Sequence, residues 1–281
     1  MEFRKVFDTI PEKFDTWRPQ YCKEAFDCII NQAAIDSSKS VLEIGPGTGQ
    51  ATEPILKTNC DYLAIELGEN LYRFMENKFK DYNNFHIVNG DFGLYDYGDK
   101  KFDLVYSAAA IQWIPEQIAF SKSFELLKSG GYLAMMMLHG DYKTPNETLY
   151  TELQEVYSTY FKPETPYTQN FIYRNALNYG FVDFQEYKFQ SERTYNAESY
   201  IEYLGTHCDH IVLQEPYRTN FYNGIRAAIL KHHDKINFCD TITLYLTKNL
   251  NFLLWHLLEV PPIPCTTALE NALLTFHGKN A

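Results

Sequence analysis

The amino-acid sequence predicts an α/β fold in which helices cover a doubly wound, mostly parallel sheet. Three observations lead to this prediction. Short apolar runs alternate with helical patterns over the first 140 residues, three glycines in five residues follow the first run, and two long segments of alternating polar and apolar residues occur late in the chain. Strands and helices that alternate at this spacing are typical of parallel sheets joined by right-handed crossovers.

Five apolar runs in the first half are predicted strands. The fourth is apolar enough to be buried on both faces, as strands of a parallel sheet are. The predicted strands are 40–44 (SVLEI), 61–67 (DYLAIEL), 84–92 (NFHIVNGDF), 101–110 (KFDLVYSAAA) and 132–138 (YLAMMML).

Helical patterns at 49–58, 68–82 and 115–131 connect these strands. The last begins at Pro115 and ends at Gly130 and Gly131, which is the usual placement of proline and glycine at helix ends. Ligands of such sheets bind beyond the carboxyl ends of the strands, at the topological switch point. We therefore expect the site between the end of the first strand and the ends of its neighbours.

The second half of the chain has a different pattern. Helices are predicted over 146–161 and over 168–180, the latter ended by Gly180, and the segments 181–195 and 238–248 alternate like two paired strands. Two helical stretches, 197–207 and 215–235, lie between those strands, and we expect them to form a lid over the sheet edge. The tail, 249–281, is interpreted as an appended packing element.

Composition excludes several classes of function. The net charge is −11 with no basic block, which argues against nucleic-acid partners and against anionic membranes. No apolar run approaches the ~20 residues that span a bilayer. The N-terminus lacks the continuous apolar core of a signal peptide, and six scattered cysteines without a C-x-x-C motif suit the reducing cytoplasm. Neither zinc nor another metal is signalled.

The segment VLEIGPGTG is the most informative motif. Gly45, Gly47 and Gly49 are spaced one residue more tightly than in the dinucleotide fingerprint, and the lysine of a phosphate-binding loop is absent. Glu43 precedes the glycines, where its charge would repel a pyrophosphate. S-adenosylmethionine carries an ammonium and a sulfonium and no phosphate, so its cationic end would gain from that carboxylate. We therefore predict this cofactor, with the glycines allowing its close approach.

Acidic residues also end the next two predicted strands. Glu66 can accept both ribose hydroxyls of a nucleoside, as a carboxylate does at this position in related βαβ units. Asp91 can accept a hydrogen bond from an adenine amino group, and Phe92 can pack on the ring. Leu67 and Ser107, at the ends of the second and fourth strands, are predicted to line the same site.

Residues 7–138 resemble the class I S-adenosylmethionine-dependent methyltransferases. VLEIGPGTG resembles the first motif of that family, LAIELGENL the second and GDF the third, while FDLVYSAAAIQWI and LLKSGGYLAMM resemble the fourth and fifth. The small-molecule enzymes similar to trans-aconitate methyltransferase are the nearest in character. The resemblance implies a Rossmann-like sheet of seven strands with an antiparallel edge hairpin, and S-adenosylhomocysteine as the product.

The resemblance also divides the chain. It implies one methyltransferase domain over 1–248, with a cofactor-covering segment at 1–36, a binding core at 37–140 and a helical lid at 196–236. Within the first segment, FDTWRPQY would place Arg18 on the cofactor carboxylate and Tyr21 on the lid. Trp113 would wall the methyl donor, and Tyr203 would cap a partly apolar substrate. Similar enzymes carry a histidine where this chain has Gln112.

The catalytic base is left open. The candidates are His139 and Asp141 after the fifth strand, together with His207, Asp209 and His210 in the predicted lid. A carboxylate acceptor would need no base, whereas a hydroxyl or amine acceptor usually does. The pair His207 and His210 lacks two further ligands for zinc. Competing hypotheses are a protein methyltransferase, a cofactor-binding module without activity, and a nicotinamide-dependent oxidoreductase.

Overall fold

The computed structural model describes residues 3–163 and 170–250. Apart from its first two residues, the predicted tail at 249–281 lies outside the described part of the chain.

Seven strands form one mixed sheet. Their order is β3-β2-β1-β4-β5-β7-β6; the first five pair in parallel, and β7 runs antiparallel to both β5 and β6. The mostly parallel sheet with an antiparallel edge pair is therefore confirmed. The strands are β1 (Ser40–Ile44), β2 (Asp61–Glu66), β3 (Phe85–Asn89), β4 (Phe102–Ala108), β5 (Leu127–Asp141), β6 (Phe181–Tyr195) and β7 (Ile236–Asn249).

The strand order changes direction between β1 and β4, which are neighbours in the sheet but far apart in the chain. The chain leaves β1 towards β2 and returns to the other side of it at β4. The connections that follow these two strands diverge, which opens a crevice at their carboxyl ends. The fold therefore provides a ligand site where the glycine loop follows β1.

Helices cover both faces of the sheet and add a layer at one end. In the described residues, short 3₁₀ segments lie at Phe3–Thr9, Ile111–Trp113, Thr144–Asn146 and Tyr173–Tyr179. The α-helices are α1 (Pro11–Trp17), α2 (Lys23–Gln32), α3 (Thr52–Leu56), α4 (Glu69–Lys78), α5 (Glu116–Leu126), α6 (Glu147–Tyr160), α7 (Ala197–Leu204), α8 (Cys208–Ile211) and α9 (Tyr217–Lys231).

Each face of the sheet has its own apolar cluster. On one face, Phe26 of α2, Ile55 of α3 and Met75 of α4 are buried against the strands. On the other face, Phe120 of α5 and Phe181 at the start of β6 are buried in one cluster. Full burial of a side chain of this size stabilises the fold by about 1.5–3 kcal/mol, so these helices hold the strand ends in fixed positions.

Two predicted boundaries differ from the structure. Helix α5 ends at Leu126 rather than at the glycine pair, and β5 begins at Leu127. A Cβ on Gly131 would lie 3.0 Å from the carbonyl oxygen of Asp103, so this glycine lets β5 approach β4 closely. The segment predicted as a helix over 168–180 holds a 3₁₀ helix at Tyr173–Tyr179, ended as predicted by Gly180 with φ at +92°.

The insertion between β6 and β7 forms α7, α8 and α9, which pack with α6 around a separate apolar cluster. Asn196 starts α7 with a reciprocal capping box, accepting the N–H of Ser199 at 2.8 Å. The insertion reaches the N-terminal segment through an ion pair of 2.8 Å between Lys13 and Glu202. The insertion contributes Tyr203 and His207 to the lining of the crevice, and its role as a lid stays a prediction.

Candidate active site

A cavity of about 390 Å³ lies at the carboxyl ends of β1, β2 and β4. Its walls come from those strand ends, the N-terminal segment, and α7 with α8. Twelve predicted site residues line it: Arg18, Tyr21, Gly45, Gly47, Glu66, Leu67, Asp91, Phe92, Trp113, Tyr203, His207 and Asp209. Six predicted residues are absent from its lining among the described residues: Glu43, Gly49, Ser107, His139, Asp141 and His210.

The glycine loop uses its N–H groups within the protein. Gly45 donates to the carbonyl of Ile65 at 2.9 Å, and Gly49 donates to that of Pro46 at 2.9 Å. Gly47 donates to the Glu66 carboxylate at 3.0 Å. A loop that binds phosphate must aim such groups at its ligand. This loop allows close approach of a ligand but has none of its three glycine N–H groups free for a pyrophosphate.

At two of the glycines, neighbouring side chains leave no room for a Cβ atom, which the spacing of the motif alone does not reveal. Gly45 has φ at +63°, and a Cβ there would lie 2.6 Å from the Cβ of Ala110. Gly49 has φ at +89°, and a Cβ there would lie 2.6 Å from the ring of Phe79. Gly49 is therefore needed for packing of the loop against the chain after α4, and its predicted contact with a cofactor is corrected.

Glu43 does not serve as predicted. Its carboxylate is buried beneath the loop, where it accepts hydrogen bonds from Thr52 at 2.6 Å and from Tyr62 at 2.5 Å. The Tyr62 hydroxyl also contacts that of Tyr106. Burial raises the pKa of Glu43 to about 7, against the hydrogen bonds that favour its charged form. Glu43 ties the start of α3 to β2 and β4, so the argument that its charge repels a pyrophosphate fails.

Ser107 is likewise structural. It is fully buried, and its hydroxyl donates to the carbonyl of Ile44 at 2.9 Å. This bond links the carboxyl ends of β4 and β1 at the switch point. The predicted contact of Ser107 with the cofactor is corrected, because the hydroxyl is directed into the sheet.

Glu66 ends β2 at the cavity wall. Its carboxylate accepts the N–H groups of Gly47 and Gly68, each at 3.0 Å. Burial raises its pKa to about 7, and the two N–H groups oppose that rise. A carboxylate held in this way has further lone pairs for hydroxyl donors on the cavity side, as its predicted role towards a ribose requires.

Asp91 is paired with a residue that the sequence did not indicate. Its carboxylate accepts the guanidinium of Arg4 at 2.8 Å and the N–H of Gly93 at 2.8 Å. Arg4 lies in the 3₁₀ segment Phe3–Thr9 and lines the cavity as well. Beside it, Phe92 is buried against Tyr97 with ring centroids 6.1 Å apart. The N-terminal segment therefore closes this end of the cavity.

Arg18 has an incomplete set of partners. Its Nη2 donates to the carbonyl of Thr206 at 2.7 Å, and its guanidinium stacks on Phe14 at 5.0 Å. Its Nε is buried without a hydrogen-bond partner among the described residues. Burial lowers the pKa of Arg18, although Tyr203 and Tyr21 oppose this. Since a buried donor without a partner is costly, this atom indicates an acceptor supplied by a ligand.

Gln112 and Trp113 follow β4 and line the cavity. The Trp113 ring packs against Phe7, with centroids 5.7 Å apart. The Gln112 amide donates from Nε2 to the carbonyl of Ala109 at 2.8 Å, which leaves its buried Oε1 without a partner in the described structure. Gln112 is thus a second unsatisfied polar group at the cavity, and sequence reasoning noted only the histidine it replaces.

The candidate bases fall into two groups. His139 and Asp141 are exposed at the far end of β5 and lie outside the cavity. His207 and Asp209 line it, whereas His210 is buried behind them, between Asp209 at 2.7 Å and Tyr157 at 3.1 Å. Tertiary structure therefore retains two of the five candidates.

Within the described ranges, no group of three or more His, Cys, Asp or Glu side chains is placed to hold a metal ion. In the same part of the chain, the helices are all too short or too polar to cross a bilayer.

Comparison with known proteins supports the family. Residues 42–135 match the model of a methyltransferase domain. Malonyl-[acyl-carrier protein] O-methyltransferase 1 of Ilyobacter polytropus is 32% identical over 136 residues, which cover 47% of this chain and 47% of that protein. The chain spans about half the length of the malonyl-[acyl-carrier protein] O-methyltransferases that it matches.

Solved structures share the fold. The YcgJ protein of Bacillus subtilis matches with a TM-score of 0.54 at 12% identity, covering 81% of this chain and 99% of that one. Phosphoethanolamine N-methyltransferase 2 of Haemonchus contortus, solved with phosphomonomethylethanolamine and S-adenosylhomocysteine, matches with a TM-score of 0.54 at 16% identity over 89% and 61% of the two chains. The Rossmann-like architecture is therefore confirmed.

Proposed function

We propose that the chain is a class I S-adenosylmethionine-dependent methyltransferase that transfers the methyl group of this cofactor to a small molecule, which the likeness of residues 42–135 to a methyltransferase domain supports. The observation that carries the proposal is the set of groups lining the cavity. The buried Arg18 Nε has no hydrogen-bond partner in the described structure, the Glu66 carboxylate ends β2, and Asp91 and Phe92 follow β3. The narrower likeness to trans-aconitate methyltransferases stays a prediction.

The residues present fit the cofactor. Arg18 would hold its carboxylate, Glu66 its ribose hydroxyls, and Asp91 with Phe92 its adenine. Gly45 and Gly47 leave the loop without side chains where the ligand passes. When bound, S-adenosylmethionine supplies a methyl group already activated on a sulfonium. The protein then has to align an acceptor and exclude water, and alignment alone can contribute ~7–11 kcal/mol to catalysis.

The loop geometry argues against a nicotinamide dinucleotide. Its three glycine N–H groups are donated to Ile65, Pro46 and Glu66. A pyrophosphate would have to displace the Glu66 carboxylate from Gly47, and would then face that charge.

The net charge of the chain and the enclosure of the cavity both favour a small acceptor over a nucleic acid. The net charge of −11 opposes a phosphate backbone. The 3₁₀ segment Phe3–Thr9 and α1 cover the cavity, and the Lys13–Glu202 and Arg4–Asp91 ion pairs hold them over it. We expect a compact substrate and a cytoplasmic enzyme.

The test is calorimetric titration of the protein with S-adenosylmethionine, S-adenosylhomocysteine and NADH in parallel. We expect the first two to bind and NADH not to bind. Binding of NADH alone would overturn the proposal. Screening of small alcohols, phenols, amines and acids with radiolabelled cofactor would then identify the acceptor.

A further inference from the structure

We propose that the methyl acceptor is a small alcohol, phenol or amine rather than a carboxylic acid, and that His207 takes the proton it loses. The inference rests on the proposed function and deepens it. Three residues that line the cavity supply hydrogen-bond acceptors: Gln112 after β4, His207 before α8, and Asp209 in α8.

The tautomer of His207 follows from its neighbour. Its Nδ1 lies 3.2 Å from the carbonyl oxygen of Leu204, which can only accept. Nδ1 therefore carries the proton of the neutral ring, and Nε2 keeps a lone pair. Burial lowers the pKa of His207 well below its usual range, and the charge of Arg18 adds to this effect. The ring is thus a neutral base at physiological pH.

Asp209 keeps a negative charge beside this ring. Burial alone would raise its pKa, but the hydrogen bond from His210 counteracts burial, and the pKa of Asp209 is lowered. Tyr157 donates to the other nitrogen of His210, since the nitrogen next to Asp209 carries the proton. This chain of bonds fixes Asp209 at the cavity wall.

Gln112 adds a third acceptor. Its Nε2 is held by the carbonyl of Ala109 at 2.8 Å, so the orientation of the amide is set. Its Oε1 is buried and has no partner in the part of the chain that the structure describes. A ligand that brings an O–H or N–H group would satisfy this oxygen, whereas a carboxylate would not.

The cations that line the cavity decide whether a carboxylic acid would find a partner of opposite charge there. Among the described residues, Arg4 and Arg18 are the cations that line it. Arg4 is paired with Asp91 at 2.8 Å, and the proposed function assigns Arg18 to the cofactor carboxylate. A carboxylic acid would therefore enter beside Asp209 with no cation to pair with it. A hydroxyl or a neutral amine can donate a hydrogen bond, and Gln112, His207 and Asp209 can each accept one.

The step balances in atoms and charge. A bond forms from the acceptor oxygen or nitrogen to the methyl carbon as the bond from that carbon to sulfur breaks, and the electron pair stays on sulfur. The acceptor proton becomes acidic as the new bond forms and passes to Nε2 of His207. The charge of Asp209 stabilises the resulting imidazolium, while Arg18 favours its later deprotonation.

The first test measures the tautomer and the charge of His207 in the protein. Nitrogen NMR of the imidazole rings, on protein saturated with S-adenosylhomocysteine, reports tautomer and charge between pH 5 and 9. His207→Gln identifies the signal, and His233→Gln, at an exposed position just after α9, is the matched control. The groups facing this ring are Arg18, Tyr203, Cys208, Asp209 and His210.

We expect a neutral His207 with the proton on Nδ1 at pH 7. An imidazolium at pH 7, or a proton on Nε2, would overturn the proposal. A failure of S-adenosylhomocysteine to bind would instead count against the proposed function, so the two failures are distinguishable.

The second test uses phenol, aniline and benzoate as probes at millimolar concentration on the same sample. Phenol or aniline should shift the His207 signal at least tenfold more strongly than benzoate at equal concentration. Asp209→Asn removes a negative charge from the cavity wall, so benzoate should shift the His207 signal more strongly than in the unaltered protein. The difference between benzoate and the other two probes should therefore become smaller. A stronger response to benzoate in the unaltered protein, or no response to any probe, would contradict the inference.

Discussion

The carboxylate of Glu66 accepts the backbone N–H of Gly47 at 3.0 Å, which couples the end of β2 to the glycine loop after β1. The same carboxylate accepts the N–H of Gly68 at 3.0 Å, at the start of α4. One acidic side chain thus positions the loop, lines the cavity and occupies the N–H group that a phosphate would use. This relationship underlies the first two predictions.

Replacing Glu66 by Ala should weaken the binding of S-adenosylhomocysteine about tenfold or more. The change removes acceptors for ribose hydroxyls and leaves two backbone N–H groups unpaired, each at a cost of about 1–3 kcal/mol. Isothermal calorimetry measures the effect. Glu69→Ala, at the exposed first residue of α4, is the control and should leave affinity unchanged. Equal affinity of Glu66→Ala and the unaltered protein would refute the role assigned to Glu66.

Replacing Gly47 by Val should abolish cofactor binding. Gly47 has φ at +61° at the cavity, and a Cβ there would lie 3.4 Å from Phe14 before any bulkier atoms are added. Gly98→Val is a matched control because Gly98 has φ at +55° with open space around its Cβ position. Both variants incur backbone strain, but only the first obstructs the cavity. Similar affinities in the two variants would show that the loop does not face the ligand.

Arg18→Gln should reduce affinity for S-adenosylhomocysteine at least tenfold while leaving affinity for 5′-methylthioadenosine within about twofold. The second ligand lacks the amino-acid end, so it cannot use the Arg18 guanidinium. A charge-assisted hydrogen bond contributes about 1.5–3 kcal/mol, which corresponds to a loss of this size. Parallel titrations measure both affinities. An equal loss for both ligands would mean that Arg18 supports the fold of the cavity rather than the carboxylate.

Glu43→Gln should alter the pH dependence of stability and leave cofactor affinity nearly unchanged. The pKa of Glu43 is about 7 in the folded protein and near 4.5 when exposed. Between these values the folded state binds more protons than the unfolded state, so Glu43 lowers the free energy of unfolding as the pH rises from 4.5 to 7. The loss reaches about 3 kcal/mol above pH 7.

Urea denaturation at pH 5 and pH 8 measures this effect. Relative to the unaltered protein, Glu43→Gln should gain stability on going from pH 5 to pH 8, because glutamine does not ionise and can accept from both Thr52 and Tyr62. Glu125→Gln, on the exposed side of α5, should show no such gain. A large loss of cofactor affinity in Glu43→Gln would instead restore the role first predicted for this carboxylate.

Local pattern was sufficient to predict the sheet. Apolar runs, proline at Pro115 and glycine at Gly180 depend on the periodicity and conformational limits of a few neighbouring residues. The boundary error at α5 arose because Gly131 is required by the close approach of β4 rather than by a helix end. A glycine can be required by a helix end or by the close approach of a neighbouring strand, and the sequence does not distinguish these two causes.

By itself, the sequence determined which groups follow the first three strands: a glycine loop after the first, Glu66 at the end of the second, and Asp91 after the third. Only the tertiary structure decided which side chains face the cavity. Glu43 is bound by Tyr62, 19 residues away, Asp91 by Arg4, 87 residues away, and Arg18 by the carbonyl of Thr206, 188 residues away. These partners meet only when the sheet and its insertion have folded, because side-chain direction and burial depend on neighbours that local periodicity does not specify.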